Sequence, residues 1–292
     1  FFKQKTAYEI YQCDWSSDVC SSDLHRDFVE KAPVTGHRPA QATEARVLFD
    51  DQAIYVGVRC FDTQPGAIRA PLVRHDLVNR TQDFVVVYLD AIGARQSAQF
   101  FRVNAAGSTA DGMHTAADDS EDFAPDFDWD GAAQRDAQGW TAVLRIPFAS
   151  LRFTREHDGP WRIMVGRRIP REQFFLHTSV LVPREAPSFI ATLQPLHGLV
   201  MPEDHQFLTL RPSLTWRRER EQPAGGLDTR RTRTEAALDV KWRPLPDLVV
   251  DATLNPDFSQ VAQDVPQLSG NTTFALSLAE KRPFFYESSD LL

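Results

Sequence analysis

From Gly139 the chain alternates. Trp140, Ala142, Leu144 and Ile146 occupy one set of positions, Thr141, Val143 and Arg145 the other. This is the period of a β-strand with one face in a core. Pro147 has no backbone donor and closes the ladder. FASLRF (Phe148–Phe153) then makes a short turn that lays Phe148, Leu151 and Phe153 on the sheet. Similar short alternating runs recur upstream. Ala45–Asp51 and Ala53–Phe61 read as a hairpin closed around Asp50-Asp51-Gln52. Asp83–Ala91 and Ala98–Gly107 read as two further strands, Trp129–Pro147 as a hairpin turning through Asp136–Gly139, and Trp161–Arg171 as another strand. Thr63–Ile68 reads as a turn, and the polar stretch His25–Ala42, with Pro33, Gly36 and Pro39, as a loop. No segment carries a convincing helix of three turns. Many short strands with turn signals between them predict an all-β antiparallel β-sandwich, and about 180 residues suffice for its core.

Near Met201 the pattern changes. The strands lengthen into HQFLTLRPSLTWRRERE (205–221), TRTEAALDVKWRP (232–244) and DLVVDATLNPDF (247–258). In the second, Ala236, Leu238, Val240 and Trp242 oppose Ala237, Asp239 and Lys241. In the third, Leu248, Val250, Ala252 and Leu254 oppose Val249, Asp251, Thr253 and Asn255. Roughly ten-residue strands, apolar on one face and polar on the other, fit the wall of a membrane barrel. A soluble sheet with one wet face has the same pattern. No apolar run reaches the ~20 residues of a membrane helix.

Residues 1–24 carry neither period. DWSSDVCSSDL (Asp14–Leu24) reads as a translated sequencing-library adapter, and KQKTAYEI (Lys3–Ile10) resembles the other adapter half. These residues are expected to lie outside the native fold. Setting them aside leaves Cys60 as the one cysteine, so no disulfide is expected within the chain. It also removes two lysines and four acidic residues, leaving a net charge of −6. That balance argues against a nucleic-acid partner.

The chemistry-bearing residues gather in a few places. Asp118–Asp130, DDSEDFAPDFDWD, holds seven acidic residues in thirteen. Asp126, Asp128, Asp130 and Gly131 spell DxDxDG, the start of a calcium loop. The twelfth position is Ala137 rather than Glu, so no EF-hand follows, and a solvated acidic loop explains the run as well. Trp140 alternates with core residues and reads as packing. Trp129, among carboxylates at a strand start, is the better candidate for stacking on a ligand. No GxSxG, HExxH, CxxC or Gly-rich phosphate loop is present.

Taken together, EARVLFDDQAIYVGVRCFD, DFVVVYLDA, FRVNAAG and WDGAAQRDAQGWTAVLRIPFASLRF resemble a family 9 carbohydrate-binding-like domain. LNPDFSQVAQDVPQLSGNTTFALSLAEKRPFFYES resembles the C-terminal domain of unknown function found with it in Gram-negative bacteria, which is predicted to form an outer-membrane β-barrel. The resemblance implies a sandwich over 25–205 and, over 206–292, the first strands of a truncated barrel. It implies a glycan or oligosaccharide partner, an outer-membrane or periplasmic location and a role in glycan utilisation. Calcium occurs in such modules, which adds weight to Asp126, Asp128 and Asp130. An Arg and an Asn spaced as Arg102 and Asn104 contact sugar hydroxyls in the family, and the two residues share a strand face here. A solvated face with Asn104 capping a turn is the alternative. Arg74 and Asp76, in VRHD, sit in a loop before a strand and are further candidates to grip the hydroxyls of a sugar ligand, for which a surface ion pair is the plain alternative. Three readings follow: a sugar-binding module, a structural or transport-associated domain of a barrel without sugar binding, and a glycoside hydrolase fragment.

Overall fold

The computed structural model describes residues 20–151, 153, 160–199, 207–221, 229–245 and 248–255. The chain divides into two compact units, Phe1–Glu203 and Asp204–Leu292. Described strands of the first are β1 (Cys20–His25), β2 (Val29–Ala32), β3 (Thr43–Phe49), β4 (Ala53–Phe61), β5 (Phe84–Asp90), β6 (Ser97–Asn104), β7 (Thr109–Thr115), β8 (Ser120–Asp122), β9 (Asp130–Asp136), β10 (Gly139–Pro147), β11 (Arg162–Pro170), β12 (Phe174–Thr178) and β13 (Gln194–Pro195). They form two antiparallel sheets. One runs β1-β3-β4-β10-β9, the other β2-β12-β11-β5-β6-β7-β8, with β13 on β11. This is the expected all-β sandwich, and β9 and β10 of the first sheet pack over β6 of the second.

Strand β10 is central to its sheet. Trp140, Ala142, Leu144 and Ile146 pair with Cys60, Val58, Val56 and Ile54 of β4, and all eight are fully buried. Each large side chain so placed contributes about 1.5–3 kcal/mol. A single 3-10 turn, Phe148–Ser150, follows Pro147 and buries Phe148 and Leu151, as the sequence predicts. Asp50 closes the β3–β4 hairpin. Its Oδ1 accepts from the backbone N–H of Gln52 and of Ala53, both at 2.8 Å, the local carboxylate bond that favours Asp in turns.

Two expectations change. The stretch His25–Ala42 is not all loop, because β2 pairs with β12. Residues 20–24, expected outside the fold, join His25 in β1 on the edge of β3. Both are short edge strands held by backbone bonds, which an open sheet edge offers to almost any sequence.

The second unit contributes a three-stranded antiparallel sheet, β14 (Phe207–Glu221), β15 (Thr229–Leu245) and β16 (Leu248–Leu254). Its register puts Leu208 opposite Trp242, Leu214 opposite Ala236 and Trp242 opposite Val250. The alternation read in the sequence thus becomes one continuous apolar face. The NPDFSQV motif after its first residue, Asn255, and the EKRPFF motif lie outside the described residues.

Candidate functional site

The outer face of the second sheet carries a groove of about 700 Å³. Its floor follows from the pleat: Phe84, Val86 and Tyr88 of β5 share a face with Arg102 of β6 and Gly166 of β11 through the cross-strand pairs. Gly166 keeps the floor low, since a Cβ there would stand 3.0 Å from the Val86 side chain. Loops close the sides. Phe123 and Phe189 come from segments after β8 and β12, and Phe189 meets Tyr88 edge-on at 4.8 Å between ring centroids. Gly112 of β7 allows β8 to lie close. With φ of +156° it has no Cβ to collide with the Asp122 carbonyl and the Phe100 ring.

That close approach delivers Glu121 to Arg102. Glu121 Oε1 accepts from Arg102 Nη2 at 2.6 Å and from the Tyr88 hydroxyl at 2.7 Å. Arg102 also donates to the Val78 carbonyl at 3.1 Å and lies over the Phe84 ring, 4.4 Å from its centroid. Burial pushes the Glu121 carboxyl up, but the guanidinium and the phenol outweigh it and leave it below its usual range. Tyr88 is raised by burial, then by the Glu121 charge, so its hydroxyl stays a donor. Beside them, His114 Nε2 lies 3.0 Å from Asp119 Oδ1. The result is an aromatic-walled groove with fixed donors and acceptors, an arrangement suited to a ring bearing hydroxyl groups.

The sequence-predicted residues separate. Arg102 lines the groove, at 4% exposure. Asn104 does not, which corrects the expected sugar-contacting pair. It lies on the same sheet face, but the loop before β5 covers it completely. Its amide donates to the Pro71 carbonyl and to Gln82 Oε1, both at 2.9 Å, and its oxygen accepts from the backbone N–H of Ala106 and Ser108. Asn104 caps the β6–β7 turn. Trp129 does not line the groove either. It is half-buried, edge-on to the buried Phe101 at 5.3 Å, beside Gly131. Trp140 is core, as expected, and Trp161 packs on Phe153. Arg74 is exposed, while Asp76 lines the groove with Arg102, its carboxylate accepting from the Asp111 N–H at 3.3 Å and facing His75 at 3.5 Å.

The acidic run does not assemble a DxDxDG loop. Asp130 faces Arg145 at 3.5 Å, and Asp128 is exposed, its carbonyl accepting from Ser150. Asp126 instead joins His75, Asp76 and Asp111, with ligand atoms within 4.8 Å of one another. His75 Nε2 lies 2.8 Å from Asp111 Oδ1, 3.4 Å from Asp126 and 3.5 Å from Asp76. Bonds to Asp111 and Asp126 push the imidazole up to about 10, so it is a cation at neutral pH. Burial lifts Asp76 to about 6 despite that charge. Once the imidazole gives up its extra proton, the donor set of one imidazole and three carboxylates suits a first-row transition ion better than calcium, which prefers six to eight oxygens. The sequence signal for it was split among VRHD, the polar strand β7 and the acidic run. Only the strand pairing brings them together.

The profile of a family described as a domain of unknown function, DUF5916, matches residues 208–292. No curated protein is significantly similar to the chain. Among solved structures, the fold is distantly similar to a family 9 carbohydrate-binding module from Caldicellulosiruptor kristjanssonii in complex with cellotriose, at 14% identity over 60% of this chain and 80% of that one, TM-score 0.41. It is also similar to a Bacteroides uniformis protein provisionally described as carbohydrate-binding, at 12% identity over 60% of this chain and 84% of that one, TM-score 0.44.

Proposed function

We propose that the N-terminal sandwich is a non-catalytic carbohydrate-binding module that takes an oligosaccharide in the groove on its second sheet. The observation that carries this reading is the joining of an aromatic wall (Phe84, Tyr88, Phe123, Phe189) to the fixed Arg102–Glu121–Tyr88 hydrogen-bond cluster. Phe84, Tyr88 and Phe189 are buried, so Phe123, half-buried, offers a pyranose the apolar contact, worth on the order of 1 kcal/mol. Both bonds to Glu121 fall on Oε1. A carboxylate held ionised beside a guanidinium can accept from one sugar hydroxyl while its neighbour donates to another.

The test is calorimetric titration of the full chain with a panel of neutral oligosaccharides, with and without calcium. Micromolar to millimolar binding is expected, by the affinity of a few such contacts. Glu121→Gln should weaken it about tenfold or more, in line with loss of a charged hydrogen bond. Calcium dependence would support the ion expected from the sequence, against the preference of the His75 cluster for a transition ion. A folded protein that binds no sugar across the panel overturns the proposal.

A second reading has an observation of its own. Arg102 is nearly buried and bonded within the chain, which also suits a purely structural cluster in a domain that supports an outer-membrane barrel without binding sugar. The exposed apolar face of the β14–β16 sheet accords with an outer-membrane location in either reading.

A further inference from the structure

The buried arginines of the sandwich, Arg59, Arg102 and Arg167, each face a carboxylate. Arg59 pairs with Asp136, Arg102 with Glu121, and Arg171 with Asp62 and Asp83. The groove holds an exception. Arg168 of β11 stands directly across from Phe84 on the groove floor. It is half-buried, and its guanidinium lies over the Phe174 ring, 5.2 Å from the centroid. Its Nε is shielded from solvent and has no hydrogen-bond partner. Among the described residues no carboxylate forms an ion pair with it.

The nearby charges make the imbalance worse. Burial, then repulsion from Arg80 and from Arg102, holds Arg168 below its usual range. Arg80, exposed on the groove wall, also has no acidic partner among the described residues. The groove carboxylates are engaged elsewhere: Glu121 with Arg102 and Tyr88, Asp119 with His114, Asp76 with His75. Two guanidinium groups of the groove lining therefore have no carboxylate among the described residues to offset them. Placing like charges together in a partly desolvated site is unfavourable, and an anion between them relieves it. The planar fork of arginine matches a carboxylate or a sulfate through paired N–H bonds.

We propose that the groove selects a glycan carrying an anionic substituent, a uronate carboxylate or a sulfate ester, held by Arg168 and Arg80 beside the Phe84 ring. This rests on the sugar-binding reading of the same groove. The test is titration of the full chain with matched oligosaccharides that are neutral, uronate-bearing or sulfated, and with inorganic sulfate alone, at low and high salt.

One of the acidic sugars should bind at least tenfold tighter than its neutral counterpart, with the preference shrinking as salt rises. Which arm wins identifies the anion. Arg168→Gln should abolish the preference, read as the ratio of acidic to neutral affinity in the same variant. Arg80→Gln, at an exposed position, should reduce the preference about threefold. Equal binding of neutral and acidic sugars overturns this inference and leaves the sugar-binding reading standing. Binding of no sugar overturns both. Inorganic sulfate binding as tightly as the acidic glycan also overturns the inference, since the groove would then take the ion and not the sugar.

Discussion

His177 is sealed inside the sandwich at 1% exposure, cross-strand from Arg167 of β11. Burial, then the Arg167 charge, pushes its imidazole down to about 4 from an ordinary 6.5. The other charged group opposite it, Glu30 of β2, is occupied with the Val34 N–H. A folded-state value below the unfolded one means that the unfolded chain binds the proton first. Stability should therefore fall as pH drops from 6.5 to 4, by up to about 3 kcal/mol, and this contribution should level off below pH 4. Urea denaturation across that range measures the slope. His177→Gln, neutral throughout, should flatten it whatever its own effect on stability at pH 7, and an unchanged slope would assign the acid sensitivity to other groups. At this scale the sequence was only partly legible. Spacing placed Arg102 and Asn104 on one face, correctly. It could not show that the loop carrying Pro71 and Gln82 seals Asn104 and leaves Arg102 at the groove.

Between elements, a buried ion cluster bridges the two sheets. Asp62, just after β4, faces Arg171 at 2.7 Å and Arg167 at 3.6 Å, and Arg171 reaches Asp83 at 3.0 Å. Both carboxylates are buried. Burial raises the Asp83 carboxyl despite the Arg69 N–H and Arg171, a sign that its charge depends on its partners. Arg171→Ala should destabilise the sandwich by about 3–5 kcal/mol, because it leaves two buried charges without their shared cation. Adding Asp62→Asn and Asp83→Asn should recover much of that loss, and the shift of the urea midpoint reads both. No recovery would point to lost packing rather than stranded charge. Elements with apolar alternation or an Asp-rich turn, such as β3–β4 and β9–β10, were legible because their cause is local. Strands β7 and β12 were not. TADGMHT buries Asp111 and His114, and FFLHT buries His177, so the polar residues that carry the site and the core disguise both strands as loop.

On the scale of the whole chain, the C-terminal sheet leaves its apolar face open. Leu208, Leu210, Leu214, Trp216, Trp242, Val250 and Leu254 are all exposed, Leu214 at 74%, and the register sets them side by side. Opposite them, the polar face is bonded within itself: Thr253 donates to Asp239 at 2.6 Å, and Arg233 pairs with Glu235. A contiguous apolar patch backed by a polar face marks a surface that meets another apolar phase. In a membrane barrel that phase is lipid, the reading the alternation first raised. The full chain should then float with lipid vesicles in a density gradient. Leu210→Glu with Leu214→Glu should weaken flotation severely, since a charge on a lipid-facing strand costs up to about 2–4 kcal/mol when it lies near the midplane. The control is Ser213→Glu with Thr215→Glu, two polar-face positions on the same strand, which should change little. If both double variants float as well as the parent, lipid does not contact this face. If neither floats and the parent does, added negative charge rather than the apolar surface decides the outcome, and the barrel-wall reading of β14–β16 fails.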